Sequence, residues 1–153
     1  MPVVSNSSPL IALARIQRLN LLPAIFESVL IPAAVAREIR PSVPAVPAWL
    51  QVRAPAAPLP GHVSRRRLGD GELEAIALAI ELNADPIIID DRPARHLAEA
   101  SGLNVIGTLG LLLGARRVGL IDRIRPELDS LLKTSFFLSP ELYNELLRSA
   151  GEA

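Results

Sequence analysis

The chain has 153 residues, balances 16 Lys and Arg against 16 Asp and Glu, and is half hydrophobic with only five aromatic residues. That length supports one domain with its own core, and the absence of cysteine excludes disulfides, thiolate metal sites and cysteine nucleophiles. A core that must come from Leu, Ile, Val and Ala favours α/β layers over a β-sandwich.

In chain order, Val3-Val4 is a short apolar run. Asn6-Ser7-Ser8-Pro9 follows, then Leu10, Ile11, Leu13, Ala14 and Ile16 in helical spacing, which predicts a helix with Ser8 as N-cap and Pro9 as its first residue. Leu19 to Phe26 predicts a second short helix. Val29-Leu30-Ile31 predicts a strand closed by Pro32, and Ala33 to Ile39 a helix that carries Arg37 and Glu38. Six of the fourteen prolines fall between Pro41 and Pro60, broken only by Trp49-Leu50-Gln51-Val52, a candidate edge strand in an extended surface segment. Arg65-Arg66-Arg67 then reads either as solvated surface or as a phosphate contact.

Leu68 to Ala79 predicts a helix with Asp70 as cap and with Ile76, Ala79 and Ile80 on one face. Glu72 and Glu74 stand about 200° apart around such a helix, so at most one faces any given site. Both can otherwise simply complement the helix dipole. Next, Pro86-Ile87-Ile88-Ile89 runs into Asp90-Asp91. A short β-branched run bounded by Pro and charge reads as a parallel strand covered on both faces, and ligands gather at the carboxyl ends of such strands. Asp91 is open to a second reading, as the N-cap of a helix that begins at Arg92 with Pro93 in its first turn and stops at Gly102.

Asn104-Val105-Ile106 predicts another strand, and Gly107-Thr108 opens a helix with Thr108 as cap. The glycine spacing there is wrong for a dinucleotide-binding fingerprint. Gly119 ends that helix, Asp122 is a candidate cap for the next, Phe136-Phe137-Leu138 reads as a short edge strand, and Ser139-Pro140-Glu141 starts a last helix through Leu147. The alternation predicts one α/β domain over residues 1–153, with a parallel sheet flanked by helices on both faces. The longest apolar helical stretch, Val105 to Ala115, falls short of the ~18 residues of a membrane span, and Met1 to Asn6 lacks the features of a secretory signal. The expectation is a cytoplasmic protein without a membrane anchor, in which Asn6-Ser7-Ser8 matches a glycosylation sequon by chance.

The neutral total hides a segregation of charge. Residues 1–69 hold eight Arg and only two acids, Glu27 and Glu38, whereas residues 70–153 hold eight Lys plus Arg and fourteen acids. Either the halves pair as ions, or the basic part contacts phosphate while the acidic part holds metal. Carboxylates gathered in one pocket stay ionised only with a cation among them. The candidates are Glu38, Glu72 or Glu74, Asp90 and Asp91. With no Cys and only His62 and His96, oxygen ligands favour Mg²⁺ or Mn²⁺ over Zn²⁺. Such a cation beside Arg92 and Arg95 suits phosphodiester hydrolysis.

At these residues the chain resembles the PIN-domain proteins over most of its length. Val3 to Ile11 is similar to that family's first strand and helix, and Ile31-Pro32 through Val35-Ala36-Arg37-Glu38-Ile39 to its second motif. Gly71-Glu72 with Glu74 to Ala79 is similar to the third motif, and Ile89-Asp90-Asp91-Arg92 with Ala94-Arg95 to the fourth. The resemblance implies a metal-dependent ribonuclease fold, often the toxin of a toxin–antitoxin pair. It assigns catalysis to Glu38, Glu72 and Asp91, and Mg²⁺ or Mn²⁺ to Asn6, Glu38, Glu72, Asp90 and Asp91. RNA contacts are expected at Ser8, Arg92 and Arg95, and at Arg65, Arg66 and Arg67, as charge-assisted donors to phosphate. Where the family carries its first Asp this chain has Asn6, a neutral ligand that lowers metal affinity. The alternative is therefore a degenerate PIN-like module that binds nucleic acid or a protein partner without cutting. A phosphoacceptor receiver domain is set aside because the only lysine, Lys133, lies far along the C-terminal helices. The Leu-rich stretch from Leu109 to Leu147 leads to the expectation of a homodimer or a bound antitoxin protein.

Overall fold

Strands of two or three residues persist in this chain because the sheet is covered on both faces. The computed structural model describes residues 1–59 and 68–153. In order these form β1 (Val4–Ser5), α1 (Ser7–Arg15), α2 (Leu21–Phe26), β2 (Val29–Ile31), α3 (Ala33–Ile39), β3 (Leu50–Val52), α4 (Asp70–Leu82), β4 (Ile87–Ile88), α5 (Arg92–Ala100), β5 (Val105–Ile106), α6 (Thr108–Arg117), α7 (Arg125–Leu132) and α8 (Pro140–Ser149). The strands build one sheet in the order β3-β2-β1-β4-β5, parallel throughout, with Val4 opposite Leu30 and Ile87, and Ser5 opposite Ile88. The Leu50–Val52 strand sits at the edge, as its sequence suggested.

Alternation along each strand splits the core in two. Ile88 and Val3 join Leu10, Leu13, Leu22, Ile39, Leu111, Leu112 and Leu131 on the face covered by α1, α2, α3, α6, α7 and α8. Val4, Ile87 and Ile89 join Ile76, Leu78, Ala94 and Ala98 on the face covered by α4 and α5. Leu10, Leu13, Ile76, Leu78, Ile87, Ile88 and Ile89 expose no surface. Because aliphatic burial contributes roughly 25 cal/mol per Å², this double layer outweighs the weak pairing of such short strands.

Several helix starts differ from expectation, at α6 and α7 because distant carboxylates take the orphan N–H groups. Helix α1 begins at Ser7 with Asn6 at the N-cap, so Ser8 lies inside the helix. The Asn6 N–H is held by the Ile88 carbonyl at 2.9 Å, and the chain turns into the helix directly from the sheet. At α4 the cap is Gly69, not Asp70, and the Glu72 carboxylate reaches back to the Gly69 N–H at 3.0 Å. At α6 the cap is Gly107, not Thr108. At α7 it is Ile124, not Asp122, because Glu152 accepts from the N–H groups of Ile124 and Arg125 at 2.8 and 3.1 Å. Asp91 and Ser139 do cap α5 and α8, accepting from Ala94 N at 3.1 Å and Leu142 N at 3.1 Å. Phe136-Phe137-Leu138 is not a strand. Thr134 Oγ1 takes the Phe136 N–H, which removes it from any ladder.

Among the described residues there are two ion pairs, and one of them bridges the segregated halves. Arg18 meets the buried Glu127 at 2.7 Å and joins the halves, while Arg116 meets Glu152 at 3.8 Å within the acidic half. No helix of the described residues is long and apolar enough to cross a membrane.

Candidate functional site

The central strands β1 and β4 lie side by side, and just past their carboxyl ends come Asn6 and the Asp90-Asp91 pair. The half-buried Asp90 engages both its oxygens with Thr108. Oδ1 accepts from the backbone N–H at 2.7 Å and Oδ2 from the hydroxyl at 2.6 Å, so this carboxylate fixes the start of α6 to the end of β4. Gly107 makes room for the arrangement, since a Cβ there would lie 2.7 Å from Asp90 Oδ1 and 2.8 Å from Arg95 Nη1. Asp91 is exposed, and its Oδ2 accepts the Ala94 N–H in the α5 cap.

A second group of carboxylates comes from α3 and α4. The Glu72 carboxyl is held above its ordinary range, first by burial, then by the charge of Asp91 and a proton shared with it, and by the charge of Glu38; the Gly69 N–H opposes this. Glu38, Glu72 and Asp91 therefore share one electrostatic neighbourhood although they come from three separate elements. The Glu38 carboxylate lies against Gly71, in the space a Cβ would fill. Glu74 points elsewhere and takes the Ala34 N–H at 3.5 Å, as the angular separation along α4 requires.

Asn6 is 2% exposed, and its Oδ1 is buried with no hydrogen-bond partner. Orphaned oxygens of this kind cost roughly 1–3 kcal/mol, which an electropositive ligand would recover. Among the described residues no three His, Cys, Asp or Glu side chains stand close enough to hold a metal ion by themselves. The donors present nevertheless fit a hard divalent cation. They are all oxygens, one is neutral and unpartnered, and one is a carboxyl that burial and its anionic neighbours keep from ionising easily.

Beside these acids opens a cleft of about 1050 Å³ lined by Ser8, Asp90, Asp91, Arg92 and Arg95. Residues from the first turns of α1, α5, α6 and α8 face it, namely Ser8, Arg92, Leu109 with Gly110, and Leu142. Helix N-termini favour anions. Arg92 is exposed and Arg95 half-buried, and neither forms an ion pair with a described residue. Five of the expected site residues thus share one cleft. Glu38 also borders a separate recess of about 320 Å³ with Ala34, Arg37 and Asp70, and Arg65, Arg66 and Arg67 lie outside the described residues.

The cleft has further walls that sequence reasoning missed: His96, Ser135, Phe136 and Phe137. His96 had a signal, because it stands four residues beyond Arg92 on one helix face. The Phe pair had none, since its proximity to Asp91 is made by the sheet and three intervening helices.

Over residues 2–152 the chain matches the family model DUF3368, described as a PIN domain. Among solved structures it is similar to a PilT N-terminus domain protein of the hyperthermophilic archaeon Sulfolobus solfataricus P2. The two are 23% identical, the match covers 75% of this chain and 93% of that one, and the TM-score is 0.55, a likeness of fold. A comparison with curated proteins finds no match. Since the family model spans all but the first and last residues, the chain belongs to the PIN-domain family, whose fold is of the nuclease type.

Proposed function

We propose that the protein is a Mg²⁺- or Mn²⁺-dependent endoribonuclease. What supports this reading is that Glu38, Glu72 and Asp91, from three elements, lie within electrostatic reach of one another near a cleft whose Arg92 and Arg95 form no ion pair with a described residue. Glu38, Glu72 and Asp91 would hold the cation, with the Asn6 amide oxygen as a neutral donor, while Asp90, with both oxygens on Thr108, anchors the start of α6 beside them. A bound cation of this type supplies the charge that activates water and neutralises anionic phosphoryl oxygens. The chain's own residues do the rest. Arg92 and Arg95 donate charge-assisted hydrogen bonds to phosphate and position the strand, and the first turns of α5 and α6 add partial positive charge where the phosphate lies.

Asn6 favours a second reading, a module that binds RNA without cutting it, because a neutral ligand weakens the cation site. Purified protein incubated with a mixed RNA panel and Mn²⁺ or Mg²⁺ separates the two. Metal-dependent cleavage that Asp91→Asn abolishes supports the nuclease. The asparagine keeps an acceptor for the α5 cap, so loss of cleavage does not reflect a loosened helix. Binding without cleavage supports the second reading, and neither would defeat both. A toxin role in a cytoplasmic toxin–antitoxin pair rests on the resemblance. Exposed Val118, Leu120 and Leu132 supply apolar surface for an antitoxin or a second copy of the chain, and a monodisperse monomer by light scattering at high concentration would count against a homodimer.

A further inference from the structure

Phe137 is 87% exposed yet lies on a backbone that is tied down on both sides. Upstream, Thr134 Oγ1 donates to the Leu131 carbonyl at 2.6 Å and accepts from Phe136 N at 3.1 Å, and Arg15 Nη1 donates to Ser135 Oγ at 2.9 Å. Downstream, Leu138 is buried and Ser139 caps α8. Phe136 packs against the core. The segment therefore holds one aromatic ring out into solvent in a fixed place, where packing gives it nothing to do. That place is the wall of the cleft that also contains Arg92, Arg95 and Asp91.

An exposed aromatic beside arginines that form no ion pair with a described residue matches the chemistry of single-stranded nucleic acid, in which bases stack on rings and phosphates meet arginines. We infer that Phe137 is a stacking platform for an unpaired base next to the phosphate held by Arg92 and Arg95. The inference rests on the nuclease reading for its substrate but not for its test. In a duplex the base faces are covered by their neighbours, and the ring has nothing to stack on. The cleft volume of about 1050 Å³ leaves room for a base together with its sugar and phosphate.

The test is fluorescence anisotropy in EDTA with three labelled 10-nucleotide RNAs: single-stranded, duplex, and single-stranded with abasic sites. The wild-type protein is expected to bind the base-bearing single strand best. Phe137→Ala should weaken that binding about 5- to 150-fold and leave binding of the abasic strand unchanged, while Phe137→Trp should restore it. Equal affinity of wild type and Phe137→Ala for the base-bearing strand, or an equal loss on the abasic strand, overturns the inference. So does an effect of Phe137→Ala on oligomeric state alone, which would make the ring part of a protein interface. If the wild type binds no RNA in EDTA, this inference falls, and cleavage in Mn²⁺ or Mg²⁺ decides the nuclease reading separately. Phe137-dependent binding without cleavage in Mn²⁺ or Mg²⁺ sinks the nuclease reading alone and supports the platform.

Discussion

The Glu38 carboxylate occupies the space beside the Gly71 Cα where any other residue would place its Cβ. Gly71 sits in the first turn of α4, one residue before Glu72, so the absence of a side chain lets a glutamate of α3 approach the acid of α4. Gly71→Ala should therefore push the Glu38 tip aside. The backbone has no need of glycine there, and Ala in a helix is favoured by up to about 1 kcal/mol. The expected result is an unchanged or slightly raised melting temperature together with a fall in Mn²⁺ affinity of about tenfold. Calorimetric titration and a thermal melt on the same sample check both halves.

Glu72 gives a pH dependence whose sign follows from its raised folded-state pKa. The unfolded chain releases this proton near the ordinary value of 4.5, before the folded chain does. Metal-free stability is therefore lost as pH rises from there through the folded pKa, and the penalty is fully present above it. Glu72→Gln removes the penalty and keeps an acceptor for the Gly69 N–H. It should melt higher than the wild type at pH 7 without metal, and the gap should close at pH 4. Adding Mn²⁺ should stabilise the wild type and not the variant. A pH series of melts with and without Mn²⁺ reads out each statement, and a gap that does not change with pH would remove Glu72 from the acidic cluster.

Asn6→Asp restores an anion at the buried end of β1. Metal-free stability should fall by about 1–3 kcal/mol, because a carboxylate enters a site with 2% exposure and without a hydrogen-bond partner. Metal affinity should rise at least about tenfold, since one unit of Coulomb attraction is added. Mn²⁺ titrations of the two proteins decide the matter, and equal affinities would mean that Asn6 lies outside the cation's reach.

Arg92 and Arg95 have no carboxylate partner among the described residues, so replacing them disrupts no ion pair there. Arg92→Gln and Arg95→Gln should leave the fold intact and weaken binding of single-stranded RNA. Each lost phosphate contact should lower the slope of log affinity against log salt by about 0.7. Binding isotherms from 50 to 300 mM salt supply the comparison, and an unchanged slope would make both arginines surface residues.

Much of this was legible in the residues themselves. Ile87-Ile88-Ile89 before Asp90-Asp91 announced a doubly covered strand ending in acid, because a parallel strand buried on both faces has no polar positions until it leaves the sheet. The two-residue spacing of Glu72 and Glu74 on a helix was enough to send them to different sides, and Asp91 with Pro93 and Ser139 with Pro140 declared helix starts through local geometry. These are short-range constraints, carried by dihedral angles and periodicity.

What required the tertiary structure was every partner supplied from a distance. Asp90 serves the first N–H of α6, Glu152 serves that of α7, and neither pairing follows from the residues near those helix ends, so the caps read at Thr108 and Asp122 moved. Glu38 meets Gly71 across 33 positions of sequence, and Phe137 reaches the cleft beside Asp91 only once α5, α6 and α7 have packed. A hydrogen bond or a close approach is satisfied by whichever group the packed core brings within a few ångströms. Sequence determines the local element and the face it buries, and packing decides which distant residue completes it.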